Sequence, residues 1–262
     1  MDLQLTGKHV LITGGSRGIG LACARAFLAE GARVSLVGRS RAHLDAAMAQ
    51  LQTEGHRAAG YDADLTDAGA ALAAVTAAWD ATGPIDVLVN SAGAALRTPF
   101  HELRPQDWQA AMQAKFFTYI NVTDPLIKRM AERGTGAVVN VIGMGGKVAT
   151  TTHLAGGAAN AALMLASAGL AAAYGPRGVR VNAVNPALTL TDRMAEGLAA
   201  DARLRQITPE EALRQAQARM PLGRLALPED IASAVVFLAS PRAGYISGAV
   251  LSMDGAATPM VV

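Results

Sequence analysis

A glycine-rich turn near the amino terminus is the feature that most constrains the fold of this 262-residue chain. Three glycines, Gly14, Gly18 and Gly20, directly follow the apolar run 10–12. Because they lack side chains, they permit a tight turn, close approach of backbone N–H groups to a phosphate, and tight packing of a helix on a strand. The segment therefore predicts a strand, a phosphate-binding turn and a helix in succession.

Short apolar, β-branched runs recur along the chain, with helix-length segments between them. Runs without polar alternation are typical of parallel strands that are covered on both faces and joined by right-handed helical crossovers. We therefore predict an α/β fold, a doubly wound parallel sheet of about seven strands with helices on both faces. The runs are 10–12, 34–37, 87–89, 138–142, 179–184 and 250–253.

Composition and charge argue against several classes of protein. The formal net charge is +2 and the basic residues are scattered, which predicts neither a nucleic-acid partner nor a membrane surface. The longest weakly polar stretch, 161–174, is shorter than the roughly 18 residues that cross a bilayer, so it predicts a buried helix. The single cysteine, Cys23, and the absence of signal-peptide features at the first residues favour the cytoplasm. No metal site is predicted.

Further motifs follow the predicted strands. Asp64 and Leu65 follow the third, residues 90–93 (Asn-Ser-Ala-Gly) the fourth, and residues 185–187 (Asn-Pro-Ala) the sixth. Together with the glycine-rich turn, these motifs resemble the short-chain dehydrogenase/reductase family over essentially the whole chain. The resemblance implies one Rossmann domain over residues 1–262, a nicotinamide cofactor, a small-molecule substrate and a substrate lid over residues 192–219.

The resemblance also implies which residues bind the cofactor. The glycine-rich turn would face the pyrophosphate, Asp64 and Leu65 the adenine, and Asn90 the adenine ribose. Leu188 and Thr191 would face the nicotinamide carboxamide and the pyrophosphate. The alternative for residues 90–93 is that they only stabilise the centre of the sheet. The full predicted set is Gly14, Ser16, Arg17, Gly18, Ile19, Gly20, Arg39, Asp64, Leu65, Asn90, Ala92, Gly93, Pro186, Leu188 and Thr191.

The end of the second strand bears on the choice of cofactor. Gly38 stands where an acidic residue would bind the 2′-hydroxyl of NAD. Arg39 and Arg17 instead offer guanidinium groups, which suit the 2′-phosphate of NADP. The alternative is that Arg39 and Arg41 are solvated loop charges. The sequence favours NADP(H) over NAD(H).

The side chains that the family uses for carbonyl reduction are predicted to be replaced. Family enzymes use an Asn, a Ser, a Tyr and a Lys, and alignment with their pattern puts Lys115, Gly143, Gly156 and Asn160 at those positions. No tyrosine of the chain has a lysine four residues later. Because a positioned acid/base contributes about 10²–10⁴ in rate, ordinary carbonyl reduction is predicted to be severely impaired.

Two features suggest a reused pocket. Lys115 stands where the family has its Asn, and Asn160 stands where the family has its Lys, so the two changes are reciprocal. If the Lys115 ammonium points inward, it would need a partner such as the cofactor ribose or Asn160. The two glycines leave space in which His153 is a candidate acid/base, with Lys147 and residues 150–152 nearby. The alternatives are chance drift, a Lys115 that extends to solvent and an exposed loop histidine.

Three functions stay open at this stage. They are an atypical oxidoreductase with substitute catalytic groups, a non-catalytic cofactor-binding or assembly protein, and a non-redox enzyme such as a lyase. The family's oligomer interfaces use the helices over 105–130 and 155–174, which predicts a homotetramer or dimer. The small apolar residues suited to that contact are Ala158, Ala161, Ala162, Leu165 and Gly169.

The first prediction concerns cofactor preference. Fluorescence titration should give tighter binding of NADPH than of NADH, and Arg39→Ala should shrink the difference because it removes a guanidinium group from the 2′-phosphate side. Equal affinity for the two cofactors, or no binding of either at millimolar concentration, would contradict the assignment.

Overall fold

A computed structural model gives the structure of the protein and describes residues 1–93 and 95–260. A seven-stranded parallel sheet runs through its centre in the order β3-β2-β1-β4-β5-β6-β7. This confirms the predicted α/β Rossmann fold with helices on both faces. The strands are β1 (His9–Thr13), β2 (Arg33–Gly38), β3 (Ala58–Asp62), β4 (Val87–Asn90), β5 (Gly136–Val141), β6 (Val179–Pro186) and β7 (Val250–Met253).

Helices connect the strands and cover the sheet. The helical run predicted to start at Pro105 contains a π-helical segment, Met112–Phe117, between two α-helices. The α-helices are α1 (Gly18–Ala29), α2 (Arg41–Thr53), α3 (Ala68–Thr82), α4 (Pro105–Ala111), α5 (Thr118–Glu132), α6 (Leu154–Tyr174), α7 (Asp192–Arg205), α8 (Pro209–Ala218) and α9 (Pro228–Ala239).

Two apolar cores lie on opposite faces of the sheet, and this explains the unbroken apolar strands. Val10 and Ile12 of β1 belong to the core that contains residues of α1 and α9, whereas Leu11 belongs to the core that contains residues of α3 and α5. Successive side chains of a strand point to opposite faces. Both faces of the central strands are therefore buried, which is why their apolar residues follow one another without polar alternation.

The strand bounds differ from the predicted runs where polar residues are buried. β1 includes His9 and Thr13, both fully buried, and His9 Nε2 lies 2.9 Å from Ser35 Oγ. β3 (Ala58–Asp62) was absent from the apolar runs because it is an edge strand of small and polar residues with partly exposed side chains. Apolar periodicity alone does not detect such residues.

A buried polar network lies where the strand order reverses between β1 and β4. Asn90 Nδ2 donates to Thr123 Oγ1 and to Asn140 Oδ1, both at 2.9 Å. Asn140 Nδ2 in turn donates to Ser167 Oγ at 2.8 Å. In open α/β sheets, ligands bind in the crevice outside the carboxyl ends of the strands at this reversal. The network therefore lies directly beneath the expected ligand crevice.

Helix α6 is longer than the apolar stretch 161–174 suggested. Its 21 residues begin at Leu154, and the helix reaches a membrane-spanning length and hydropathy, the one case in the described part of the chain. One face is buried and includes the polar residues Asn160 and Ser167, while Leu165 is exposed. The core helix of a folded domain meets the same criterion. Packing on the sheet accounts for the apolar residues of the buried face.

The glycine-rich turn depends on close backbone contacts. Gly14 has φ +66°, a conformation that L side chains rarely adopt. A Cβ at Gly20 would lie only 2.2 Å from the carbonyl oxygen of Gly14, so α1 can approach the turn only without a side chain there.

Two alanine substitutions test this contact. Gly20→Ala should lower the free energy of unfolding by about 1–3 kcal/mol or more, because the new Cβ meets backbone that cannot move freely. Gly169→Ala, within α6 and with open space around it, should instead raise that free energy by about 0.5–1 kcal/mol. Urea unfolding of both variants measures the difference. Effects of the same sign would contradict the assignment.

Candidate active site

The amino terminus of α1 is suited to an anion. Among the described residues, no side chain caps the helix at Arg17, and its first turn has no acidic residue. The free N–H groups and the positive end of the helix dipole therefore favour a phosphate. A Cβ at Gly14 would lie 2.8 Å from backbone atoms of Ala92, which brings the β1 turn against the loop after β4. The turn fits the pyrophosphate of a dinucleotide.

Other predicted cofactor residues surround this turn. A Cβ at Gly18 would lie 3.3 Å from Thr191 Cγ2, so the start of α7 faces the start of α1. Ser16 Oγ is 3.7 Å from the position of a Cβ on Gly38, at the end of β2. Residues far apart in the sequence thus meet at one edge of the sheet.

Asp64 and Arg39 lie on the side predicted for the adenosine. Asp64 Oδ1 accepts hydrogen bonds from Thr66 N at 3.0 Å and Thr66 Oγ1 at 2.7 Å. These bonds, and more weakly the charge of Arg39, lower the pKa of Asp64. Arg39 is therefore close enough to Asp64 for their charges to interact.

Several predicted cofactor residues have structural roles. The Asn90 side chain is fully buried in the polar network, which is the sheet-stabilising alternative for that residue. Leu65 is buried in one core and Ile19 packs against the other. Gly93 has φ +80°, and a Cβ there would lie 2.0 Å from Ala114 O. The side chains of Asn90, Leu65 and Ile19 therefore contribute to packing, and any cofactor contact by Asn90 would have to use its backbone.

The loop after β6 lines a second part of the crevice. β6 ends at Pro186, and Leu188 lies at the wall of a cavity of about 190 Å³. Met220, Leu222 and Met253 also line this cavity. Apolar walls with few polar groups are typical of small-ligand pockets.

Lys115 is buried within the π-helical segment Met112–Phe117. Its Nζ donates to Tyr119 Oη at 2.8 Å and to Val141 O at 3.1 Å, and Tyr119 Oη also donates to Val141 O. The ammonium therefore points into the protein and not to solvent, the two orientations that the sequence left open. These contacts supply the partners that a buried ammonium requires, and Tyr119 and Val141 were not among the partners predicted from the sequence.

Two predicted positions, Gly143 and Gly156, provide space for neighbouring side chains. A Cβ at Gly156 would lie 2.1 Å from His153 Cε1, so the imidazole occupies the space beside that glycine. At Gly143, with φ +135°, a Cβ would lie 3.3 Å from Asn160 Nδ2. The structure therefore brings Gly143, Gly156, His153 and Asn160 together.

The electrostatic environment of His153 is unusual. Nδ1 is buried without a hydrogen-bond partner, the one nitrogen or oxygen atom of this kind among the side chains that the structure describes. Burial, and then the positive charges of Arg97 and Lys115, lower the pKa of His153 from 6.5 to about 4. The imidazole is consequently neutral at neutral pH. An unsatisfied buried polar atom costs about 1–3 kcal/mol, which a ligand atom or water at Nδ1 would recover.

The other basic and hydroxyl candidates from the sequence have different contacts. Lys147 Nζ lies 3.1 Å from Ser252 Oγ and 3.4 Å from Val250 O, so it is directed to β7. Thr152 Oγ1 donates to Asp201 Oδ1 of α7 at 3.1 Å and links the loop before α6 to the predicted lid. Lys147 is therefore not a member of the His153 group.

Sequence reasoning missed two residues beside the candidate site. Tyr119 lies four residues after Lys115, a helical spacing that places the two side chains on one face, whereas the family motif has the tyrosine first and the lysine four residues later. Arg97 lies in an irregular segment after β4 and its charge acts on His153. No periodic pattern marks a residue in such a segment.

The chain is similar to many characterised proteins over nearly its whole length. The family model described as Enoyl-(Acyl carrier protein) reductase matches residues 14–258. D-threitol dehydrogenase of Mycolicibacterium smegmatis is 37% identical over 98% of this chain and 95% of its own length. 2-(S)-hydroxypropyl-CoM dehydrogenase 3 of Xanthobacter autotrophicus is 36% identical over 98% and 99%. The structure of an actinorhodin polyketide ketoreductase variant with NADPH has a TM-score of 0.92 and 30% identity, over 96% of this chain and 97% of that one.

The Rossmann sheet, the glycine-rich turn and the crevice at the strand reversal define a pyridine-nucleotide-binding domain. With these matches, the chain belongs to the short-chain dehydrogenase/reductase family of oxidoreductases.

The pKa of His153 predicts an effect on stability. Between pH 6.5 and about 4, the unfolded chain protonates His153 while the folded chain does not, so wild-type stability falls as the pH is lowered through this window. His153→Gln removes this dependence. The variant should therefore gain about 1 kcal/mol relative to wild type between pH 8 and pH 5, after allowance for partial exposure.

Urea unfolding at the two pH values measures this change. His9, whose pKa is also lowered by burial, remains in both proteins and supplies the same residual slope. Identical pH dependence in wild type and variant would contradict a neutral, buried His153.

Proposed function

We propose that the protein is an NADP(H)-dependent oxidoreductase that interconverts a secondary alcohol and a ketone on a small molecule. In this proposal Lys115, Gly143, Gly156 and Asn160 stand at the positions of the family's Asn, Ser, Tyr and Lys, and His153 supplies the proton acceptor. The observation that carries it is the neutral imidazole beside Gly156, with a buried Nδ1 that lacks a partner. The relatives named above are dehydrogenases and a reductase, which favours redox chemistry over the non-catalytic and lyase alternatives.

The residues around α1 would hold the cofactor. The helix amino terminus and Gly14 suit the pyrophosphate, while Arg39, with no acid at Gly38, suits a 2′-phosphate. The similar ketoreductase structure contains NADPH, which supports the same preference. When bound, the nicotinamide accepts or supplies the hydride.

A residue of the protein can accept the proton that the reaction releases. Oxidation of an alcohol removes a hydride from its C–H bond and a proton from its hydroxyl, and leaves a carbonyl. Because His153 is neutral, its unprotonated ring nitrogen can accept that proton from the hydroxyl. The positive charge of Lys115 favours the negative charge that develops on the oxygen as the proton leaves. Reduction runs through the same groups in reverse.

A weakly basic imidazole limits the rate at which this site can take a proton from a generic alcohol. A group with a pKa of about 4 is a poorer proton acceptor than one near neutrality, so turnover of generic ketones and alcohols should be low. Binding energy from the remainder of the right substrate can compensate by fixing its hydroxyl against the imidazole.

We also propose that α7 and α8, within residues 192–219, form the substrate lid. Leu198, Ala202 and Ala212 pack these helices on each other, and the Thr152–Asp201 hydrogen bond connects them to the loop that carries His153. Self-association through α6 is supported by the exposed residues Ala158, Ala161 and Leu165 on its outer face.

Paired variants test the role of His153. His153→Gln should lower kcat/KM for alcohol oxidation with NADP⁺ by about 10²–10⁴ while the Kd for NADPH stays within about twofold. Gly156→Ala should cause a similar loss, because the new Cβ displaces the imidazole. His56→Gln, in the turn before β3, is the matched control and should behave as wild type.

The measurement is NADPH formation over a panel of secondary alcohols, with cofactor binding followed by fluorescence. Undiminished activity of His153→Gln would exclude His153 as proton acceptor. Tight NADPH binding by wild type without turnover of any panel member would favour the non-catalytic function.

A further inference from the structure

Arg97 is a half-buried cation without a direct partner. Within the described chain, its guanidinium makes no hydrogen bond and no ion pair within 4.0 Å. The charge of Asp201 acts on it from α7, but the Asp201 carboxylate accepts its hydrogen bond from Thr152 Oγ1. A guanidinium has five N–H donors, and leaving them unpaired in a half-buried place is costly. The Arg97 guanidinium can therefore bind an anion, and no acidic group in the described part of the protein is bonded to it.

The surroundings place this guanidinium between the site and the predicted lid. A Cβ at Gly197 of α7 would lie 2.9 Å from Arg97 Nε and 3.1 Å from its Cδ, so a glycine leaves room for the arginine under that helix. Thr98, the next residue, donates its backbone N–H to Thr152 O at 3.0 Å. That bond ties the Arg97 segment to the loop that ends at His153.

The charges of the group limit the class of anion. The group contains two basic side chains, Arg97 and Lys115, one acidic side chain, Asp201, and the neutral imidazole of His153, so basic groups exceed acidic ones by one. A carboxylate has one negative charge, whereas a phosphate monoester has about 1.5 to 2. The planar guanidinium fork also matches two carboxylate oxygens.

We propose that Arg97 binds a carboxylate of the substrate, so that the substrates are hydroxy acids and the corresponding keto acids. The inference rests on the proposed redox function, since it takes the alcohol to be the group presented to His153. Arg97 is then a specificity-determining residue: it holds the far end of the molecule while the hydroxyl lies at the imidazole.

The test compares acids with their uncharged counterparts. Lactate, glycerate and 3-hydroxybutyrate are each paired with their methyl esters, and glycerol 3-phosphate is the phosphate probe. Binding is measured by calorimetry with NADP⁺ present, and turnover by NADPH formation. Wild type should bind at least one acid about tenfold or more tightly than its ester, as expected for charge-assisted hydrogen bonds.

Three variants test whether Arg97 causes the preference for acids over esters. Arg97→Gln should remove it, and Arg97→Lys, which keeps the charge but not the fork, should retain only part of it. Arg57→Gln, an exposed arginine just before β3, should match wild type. Thermal unfolding and the NADPH Kd establish that each variant is folded, and Arg97→Lys decides the question if Arg97→Gln does not fold.

The outcomes separate this inference from the proposed function. Equal binding of acids and esters, no binding of any acid, tighter binding of the phosphate, or an unchanged preference in the Arg97 variants would each overturn the inference. Acid binding that depends on Arg97 without turnover would support the carboxylate site and remove the redox function. Turnover of neutral alcohols without a preference for acids would support the redox function and remove the carboxylate site.

Discussion

The buried amide network beneath the crevice is the interaction on which the site depends. Asn90 connects β4 to β5 and α5, and Asn140 extends the connection to Ser167 of α6. The α5 and α6 sides of the crevice carry Lys115 and His153, respectively. Each amide left unsatisfied would cost about 1–3 kcal/mol, so the network fixes these helices against the sheet with little tolerance for sliding. It thereby sets the spacing within the candidate site.

Two glycines around the candidate site leave space that larger side chains occupy. The imidazole of His153 fits only because Gly156 has no Cβ, and Arg97 fits under α7 only because Gly197 has none. Arg97 and Lys115 lie near enough to His153 for their positive charges to act on it. Together with burial, these charges lower the pKa of His153. A neutral imidazole among cations is a weak proton acceptor, and the same cations favour an anion nearby.

The sequence predicted the fold well and the site only in part. Unbroken apolar strands and the glycine-rich turn were sufficient for the sheet and the helix order, because these features depend on local periodicity and chain connectivity. The apolar pattern did not predict that His9 belongs to β1, and it did not detect the edge strand β3, because periodicity carries little information at such positions. The hydrogen-bond partners of the Asn90 side chain were not predicted either, because they lie on strands and helices distant in the sequence.

The sequence by itself determined the α/β class, the phosphate-binding turn, the family and the identity of the residues at positions 115, 143, 156 and 160. Only the tertiary structure decided what those residues contact: Lys115 bonds to Tyr119 and Val141, and His153 lies over Gly156. It also brought Arg97 near His153, from a segment without any sequence signal. The physical reason is that side-chain contacts and desolvation depend on residues brought together across the sheet, and no local pattern in the chain encodes those distances.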